Sequence, residues 1–359
     1  FFTLLNRGFS LFIISVALLA LPAGQAIHAF AYAHNMAAIL QYTPSLPWYA
    51  PLTANRQIQQ WGLVFEQLKE ENLKLPQPSG HFTYPLQPLN CQAKDTPNIV
   101  MIILESWRFD ALSPEITPNI WKISQQGLRF EEHISGGNVT TKGLFSLLYG
   151  LSPVYWSDAI TANGDTVLLS ELKKRQYDFY LLPNQDISRT GIKDLMFKGI
   201  DSLSGSGLKD SVKGDQRISQ LFIEQIQQRQ SERPFFSFLL YNSTHHSYYS
   251  PDTAANPFQP AKPIEMSLLN NQSATAPFVN QYHNATHFID SEIAKIQQTL
   301  IDQQLWDNSI VLITSDHGEE FNDQQQNFWG HGSNFSRYQM QVPLVMHWPG
   351  KATQVFKHR

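Results

Sequence analysis

Three short apolar runs constrain this chain more than anything else in it: 98–104 (NIVMIIL), 235–241 (FFSFLLY) and 309–314 (SIVLIT). Each is rich in β-branched or aromatic residues and lacks the polar alternation of a half-exposed strand. That is the pattern of strands buried on both faces of a parallel sheet. Shorter runs at 129–134, 177–182 and 342–348, the last closed by Pro349-Gly350, predict further strands. Helical periods fall between them, at 141–149, 167–175, 215–230 and 281–306. Thr117-Pro118 predicts another helix ending near Gly127, with a cap and a proline in its first turn. Alternation of this kind predicts an α/β fold, a mainly parallel sheet sandwiched by helices. Residues 247–279 read as a polar, Pro-punctuated insertion, and no internal repeat is visible.

With 359 residues, 42% of them hydrophobic and 12% aromatic, the chain can bury a substantial core. A net charge of −4 without a basic block argues against nucleic acid as a partner. Cys91 is the single cysteine, which rules out an intrachain disulfide. The chain begins at Phe1 and stops soon after a strand-like run, as a fragment cut at both ends would.

Near its start, Arg7 precedes an uncharged run from Gly8 to Gly24, close to the lower length limit of a spanning helix. One reading is a transmembrane helix with Asn6-Arg7 on the cytoplasmic flank; the other is a signal peptide cleaved near Ala26. Both place the residues beyond about 30 outside the cytoplasm. The aromatic residues that continue past the cleavage point (Phe30, Tyr32, Trp48, Tyr49) favour the anchor. A Pro- and aromatic-rich connector at 41–51, a helical period at 56–75 and a second connector at 76–97 lead to a domain beginning near Thr96.

The chemistry gathers where strands run out, the place where open α/β sheets bind ligands. After SIVLIT stand Ser315, Asp316, His317 and Gly318, and Asp-His is a donor pair suited to Zn²⁺ or Mn²⁺. The plain alternative is a strand-to-loop turn capped by Asp316. After NIVMIIL stands Glu105, which can meet a carboxylate from another strand, cap a helix or pair with Arg108. At 135–143 (SGGNVTTKG) paired glycines allow close approach to a ligand, and the hydroxyls and Lys142 suit an oxyanion. Thr140 there is either a metal-activated nucleophile or the cap of the next helix. His245 and His246 follow FFSFLLY, and His331 lies between the Asp-His pair and the last strand. Each histidine alone is an ordinary polar residue; together the set is what metal-assisted phosphoryl transfer requires.

These motifs, namely NIVMIILES with TPNI downstream, the SGGN-TT-glycine loop with FSLLYGLSP, TSDHGEE and VPLVMHWPG, resemble the sulfatase and alkaline-phosphatase superfamily from Thr96 to Gly350. Within it the chain is similar to the membrane-anchored branch that contains lipoteichoic acid synthase and phosphoethanolamine transferases, and most of all to YejM-type inner-membrane proteins of Gram-negative bacteria. The resemblance implies one divalent ion (Mn, Zn or Mg) on Glu105, Thr140, Asp316 and His317. It makes Thr140 the nucleophile, counted back from Leu147-Leu148-Tyr149-Gly150, with Thr141 as the register alternative. It gives His245 and His331 catalytic roles at the phosphate. Asn138, Thr141, Lys142 and His246 are expected on the substrate side.

Two departures matter. Thr140-Thr141-Lys142-Gly143 lacks the Cys-x-Pro-Ser-Arg context of formylglycine sulfatases, which disfavours a sulfuric ester hydrolase. The single cysteine departs from the disulfide-rich phosphoethanolamine transferases. The expected organisation is a transmembrane helix at 1–25, the last of a truncated membrane domain, a juxtamembrane connector and helix at 26–95, and a C-terminally truncated sulfatase-like domain at 96–359. The expected function is a metal-dependent phospho-transferase or phosphatase, at the bacterial inner membrane with its catalytic domain in the periplasm, acting on membrane lipid or lipid-linked phosphoesters. The alternative is a non-catalytic regulator that binds acidic lipid or lipopolysaccharide.

Overall fold

The computed structural model describes residues 2–33, 83–87, 89, 95–162, 165–187, 191–200, 206–251, 256–263 and 269–357. The chain divides into two compact units, Phe1–His81 and Phe82–Arg359. In the first, helix α1 spans Phe2–Ala33, with Pro22 inside it. Side chains at 1–8, 10–14 and 17, which hold much of the apolar run, lie outside the described residues. Among those described, no helix is long and apolar enough to cross a membrane. The aromatic connector at 41–51 and the helical period at 56–75 also lie outside the described residues.

The second unit contains β1 (Asn98–Leu104), α2 (Pro118–Gln126), β2 (Leu128–Phe130), α3 (Thr140–Tyr149), α4 (Trp156–Ala162), α5 (Val167–Lys174) and β3 (Asp178–Pro183). It continues with α6 (Ile192–Met196), α7 (Ser211–Gln227), β4 (Phe235–Tyr241), α8 (Ala276–Asp302) and β5 (Ser309–Thr314). After these come β6 (Glu320–Phe321), β7 (Trp329–Gly330), α9 (Arg337–Met340), β8 (Leu344–His347) and β9 (Gln354–Phe356). The large sheet runs β3-β4-β1-β5-β8-β2-β9. Every neighbouring pair is parallel except those made by β8, which runs against both β5 and β2. β6 and β7 form a separate antiparallel pair.

The three apolar runs are the three adjacent central strands. Alternate residues of β1 serve opposite faces, as the pleat demands. Val100, Ile102 and Leu104 pack with Ile120 and Ile123 of α2, Ile218 and Phe222 of α7, and Ile289, Ile293 and Ile296 of α8. Met101 and Ile103 pack on the other side with Leu144, Phe145 and Leu148 of α3 and with Leu169 and Leu172 of α5. Burial of one such side chain contributes about 1.5–3 kcal/mol relative to exposure. The predicted sandwich of helices around a mainly parallel sheet is what the chain forms.

Element ends differ where a tertiary partner replaces a local one. α2 starts at Pro118 as predicted, but Thr117 makes no side-chain cap. Its hydroxyl donates to Ala111 O (3.2 Å), and Asp290 of α8 accepts from the Asn119 and Ile120 N–H groups at 3.1 and 2.8 Å. α8 begins five residues before the expected 281, with Pro277 in its first turn, and ends at Asp302 rather than at Trp306, which opens a 3₁₀ turn. The strand expected over 129–134 is only β2, followed by an isolated bridge from Ile134 to Gln341.

Candidate active site

Sheet register builds the site. β1 and β5 pair with Ile103 opposite Thr314, so Glu105 and Asp316 leave their strands at the same level. Ser315 ties the two ends together, its Oγ accepting from Trp107 N (2.7 Å) and donating to Leu104 O (2.6 Å). Ser106 sits at φ 57°, a left-handed conformation that a non-glycine residue keeps only when its surroundings hold it. Here its N–H donates to Asp316 Oδ1 (3.1 Å) and its carbonyl accepts from Tyr282 OH (2.9 Å).

Glu105, Asp316 and His317 are fully buried and bring ligand atoms within 4.8 Å of one another. Glu105 Oε2, Asp316 Oδ2 and His317 Nε2 are buried with no hydrogen-bond partner. Three orphaned electron-pair donors facing one another are unfavourable unless a cation joins them. Burial, and then the Asp316 carboxylate, push the Glu105 pKa well above the carboxylate range, a pressure that a bound cation would relieve. His317 Nδ1 lies 2.9 Å from Gly318 O; with the proton assigned to Nδ1, Nε2 is the free donor and burial favours the neutral ring. Two carboxylates and an imidazole suit Zn²⁺ or Mn²⁺.

Thr140 opens α3 and does not cap it: its hydroxyl donates to Glu105 Oε1 at 2.8 Å. Gly143 permits this approach, because a Cβ there would lie 1.9 Å from Asp316 O. The glycines of the preceding loop serve packing as well. A Cβ at Gly136 would collide with Ser146 and one at Gly137 with Lys142, so the pair lets the loop lie against α3 itself.

His245 Nε2 stands 3.7 Å from Glu105 Oε1, and the His245 and His331 rings are 5.3 Å apart. Burial, then the neighbouring His331, lowers the His245 pKa. His331 Nδ1 bonds Glu319 Oε2 at 2.7 Å, and Tyr248 OH donates to Glu319 Oε1 at 2.7 Å. Burial would lower the His331 pKa, but the Glu319 charge and hydrogen bond outweigh it, so His331 is held above the ordinary imidazole value. His317, Glu319 and His331 form a second trio within ligand distance, yet Glu319 is already engaged by Tyr248 and His331.

Glu105, Thr140, Asp316, His317, His245 and His331 thus converge. The residues expected on the substrate side are more dispersed in role. Asn138 Nδ2 donates to Asn334 O (2.8 Å), tying two loops, and Lys142 Nζ lies 4.5 Å over the Trp156 ring. Thr141 is partly exposed beside Thr140, while His246 packs edge-on to Tyr248 with Nδ1 buried and unpartnered. Arg108 does not pair with Glu105: it binds Asp110 and Asp323 and lies over the Phe321 and Tyr338 rings. Glu319 has no expected role in the sequence, where the acidic pair after Asp-His-Gly is its one mark.

Residues 97–359 match the sulfatase family, and residues 4–91 match a domain of unknown function, DUF3413. The inner membrane protein YejM of Salmonella typhimurium (strain LT2) is 24% identical over 335 residues, covering 92% of this chain and 51% of that protein. The chain therefore spans about half the length of the curated relatives it matches. Among solved structures, a phosphonate monoester hydrolase of Agrobacterium radiobacter shares the fold with a TM-score of 0.57 and 17% identity, over 73% of this chain and 70% of that one. The integral membrane lipooligosaccharide phosphoethanolamine transferase A of Neisseria meningitidis does so with a TM-score of 0.55 and 20% identity, over 73% and 49%. With a family match over residues 97–359, most of its length, the chain belongs to the sulfatase family.

Proposed function

We propose that the chain is a metal-dependent phosphoester transferase or hydrolase that uses Thr140 as its nucleophile on a lipid or lipid-linked phosphoester. The observation that carries this is the trio of orphaned donors on Glu105, Asp316 and His317, with the Thr140 hydroxyl 2.8 Å from Glu105. A divalent ion bound there supplies Lewis acidity to the hydroxyl beside it. Thr140 Oγ forms a bond to phosphorus, its proton passing to the Glu105 carboxylate it already faces. The bond from phosphorus to the departing alcohol breaks, and His331, whose pKa Glu319 raises, donates a proton to that alcohol. His245 stays neutral and orients a phosphate oxygen. Water or an acceptor hydroxyl then attacks the phosphothreonine and gives its proton to His331, while the bond from phosphorus to Thr140 Oγ breaks and Glu105 returns the proton to the departing hydroxyl.

Phosphate is preferred to sulfate because Thr140-Thr141-Lys142-Gly143 offers no cysteine or serine for formylglycine. Asn138, Thr141, Lys142 and His246 are assigned to the substrate side. The uncharged run from Gly8 to Gly24 and the likeness to an inner membrane protein support placement at the bacterial inner membrane, with the sulfatase unit in the periplasm.

The test is turnover of a phosphodiester lipid with Mn²⁺, Zn²⁺ or Mg²⁺, together with a mass shift on Thr140. Thr140→Ala is expected to lose both. Undiminished turnover by Thr140→Ala would overturn the assignment. If metal-site variants still complement a growth or permeability defect in cells while variants of the aromatic connector at 41–51 do not, the regulatory reading gains instead.

A further inference from the structure

A buried carboxylate away from the ligand set organises the turn that carries His245. Asp215, near the start of α7, is fully buried. Its Oδ1 accepts from Asn184 Nδ2 (2.7 Å) and Asn242 N (2.9 Å), and its Oδ2 accepts from Ser243 N (2.8 Å). Asn184 follows β3 and Asn242-Ser243 follow β4, so one side chain binds the ends of two adjacent strands to a helix. α7 comes close enough for this because residue 214 is glycine: a Cβ there would lie 1.8 Å from Asn184 Oδ1. The residues next along the turn reach the site. Thr244 Oγ1 donates to Glu105 O at 2.5 Å, and His245 places Nε2 3.7 Å from Glu105 Oε1.

We infer that Asp215 is a positioning residue, which fixes the 242–245 turn and through it the placement of His245 and of the Glu105 backbone. This rests on the reaction proposed above. A purely structural role is the competing explanation, and the fold supplies its own comparison. Asp290 is an equally buried carboxylate that accepts from Asn119 N, Asn119 Nδ2 and Ile120 N. It anchors α2, and none of the residues in the candidate site lies on the segment it holds.

Asp215→Asn keeps shape but turns one acceptor into a donor facing an N–H group, so at least one turn amide loses its partner. In the full chain with saturating Mn²⁺, kcat on a phosphodiester is expected to fall about ten- to hundred-fold, with KM within about two-fold. Hydrogen exchange of the 242–249 segment should accelerate by about ten-fold or more. Asp290→Asn should change neither kcat nor that exchange. The inference is overturned if Asp215→Asn keeps wild-type kcat or leaves 242–249 as protected as in wild type. If Asp215→Asn does not fold, Thr244→Val removes the link to Glu105 at nearly constant volume, and an unchanged kcat in that variant overturns it equally. Should Thr140→Ala retain full turnover, the proposed reaction falls, and the exchange measurement alone decides the role of Asp215.

Discussion

Replacing Gly143 by alanine sets two opposed effects against each other. Alanine in a helix interior is better than glycine by about 1 kcal/mol, so propensity alone predicts a more stable protein. The structure predicts the reverse. A Cβ at 143 would stand 1.9 Å from Asp316 O and 2.7 Å from its carbonyl carbon. An ordinary contact needs ~3.4 Å or more, so α3 and the end of β5 must part by about 1.5 Å. Neither side yields easily, because the obstacle is backbone and the β5 end is held by Ser315 and Ser135. Overpacking of this kind costs roughly 1–3 kcal/mol, which exceeds the propensity gain and leaves a net loss of up to about 2 kcal/mol.

Activity should suffer more than stability. Thr140 rides three residues earlier on α3, and its 2.8 Å bond to Glu105 does not survive such a shift. A displacement of ~1 Å at a reacting group is worth about a hundred-fold in rate, or about 2.7 kcal/mol. The assays are urea unfolding and phosphodiester turnover at saturating metal. A Gly143→Ala protein as stable and as active as wild type would refute the packing account of this loop.

Three further outcomes rest on the electrostatics. Glu105→Gln removes a buried carboxyl whose charge is opposed by burial and by Asp316. It should raise the melting temperature in EDTA and lower it in saturating Mn²⁺ or Zn²⁺; a shift of the same sign in both would contradict the cation site. Because Glu319 holds the His331 pKa up against burial, that ion pair stabilises the fold below the unfolded imidazole pKa, and the contribution is lost as pH rises through the folded value. Glu319→Gln should drop the His331 titration below the ordinary range in NMR of the metal-free protein, and an unmoved titration would remove Glu319 as the cause. Burial pushes the His283 pKa down from 6.5 to about 4, so stability is full above the unfolded value and is lost as pH falls toward the folded one. The ceiling is about 3 kcal/mol, discounted to about 1–2 kcal/mol because the ring is partly exposed. His283→Gln should flatten the acid limb of a urea-midpoint profile, and an unchanged limb would assign it to other groups.

Much of the site was legible because its chemistry lies at strand ends, and strand ends are marked by composition. Asp316-His317 and Glu105 each follow an apolar run directly, which placed them on one edge of a sheet. The helix start at Pro118 was legible for the same local reason, a proline that fixes its own φ. The cap on that helix was not, since Asp290 lies 171 residues from Asn119. Nor was Glu319, whose partners Tyr248 and His331 come from two other segments. Gly136 and Gly137 look like a ligand cradle in sequence, and their close packing on Ser146 and Lys142 appears only in space, because a glycine pair says that something approaches without saying what.

By itself, then, the sequence determined which segments are central strands, that helices would cover both faces of the sheet, and which side chains wait at the strand ends. These follow from hydrophobic period and backbone chemistry, both local. Only the tertiary structure decided the strand order β3-β4-β1-β5-β8, the reversal of β8, and the register that sets Glu105 level with Asp316 across 211 residues of chain. It also decided that Thr140 faces Glu105 instead of capping α3. Register and facing are properties of pairs of segments, set by how two buried surfaces fit, and no single segment encodes them.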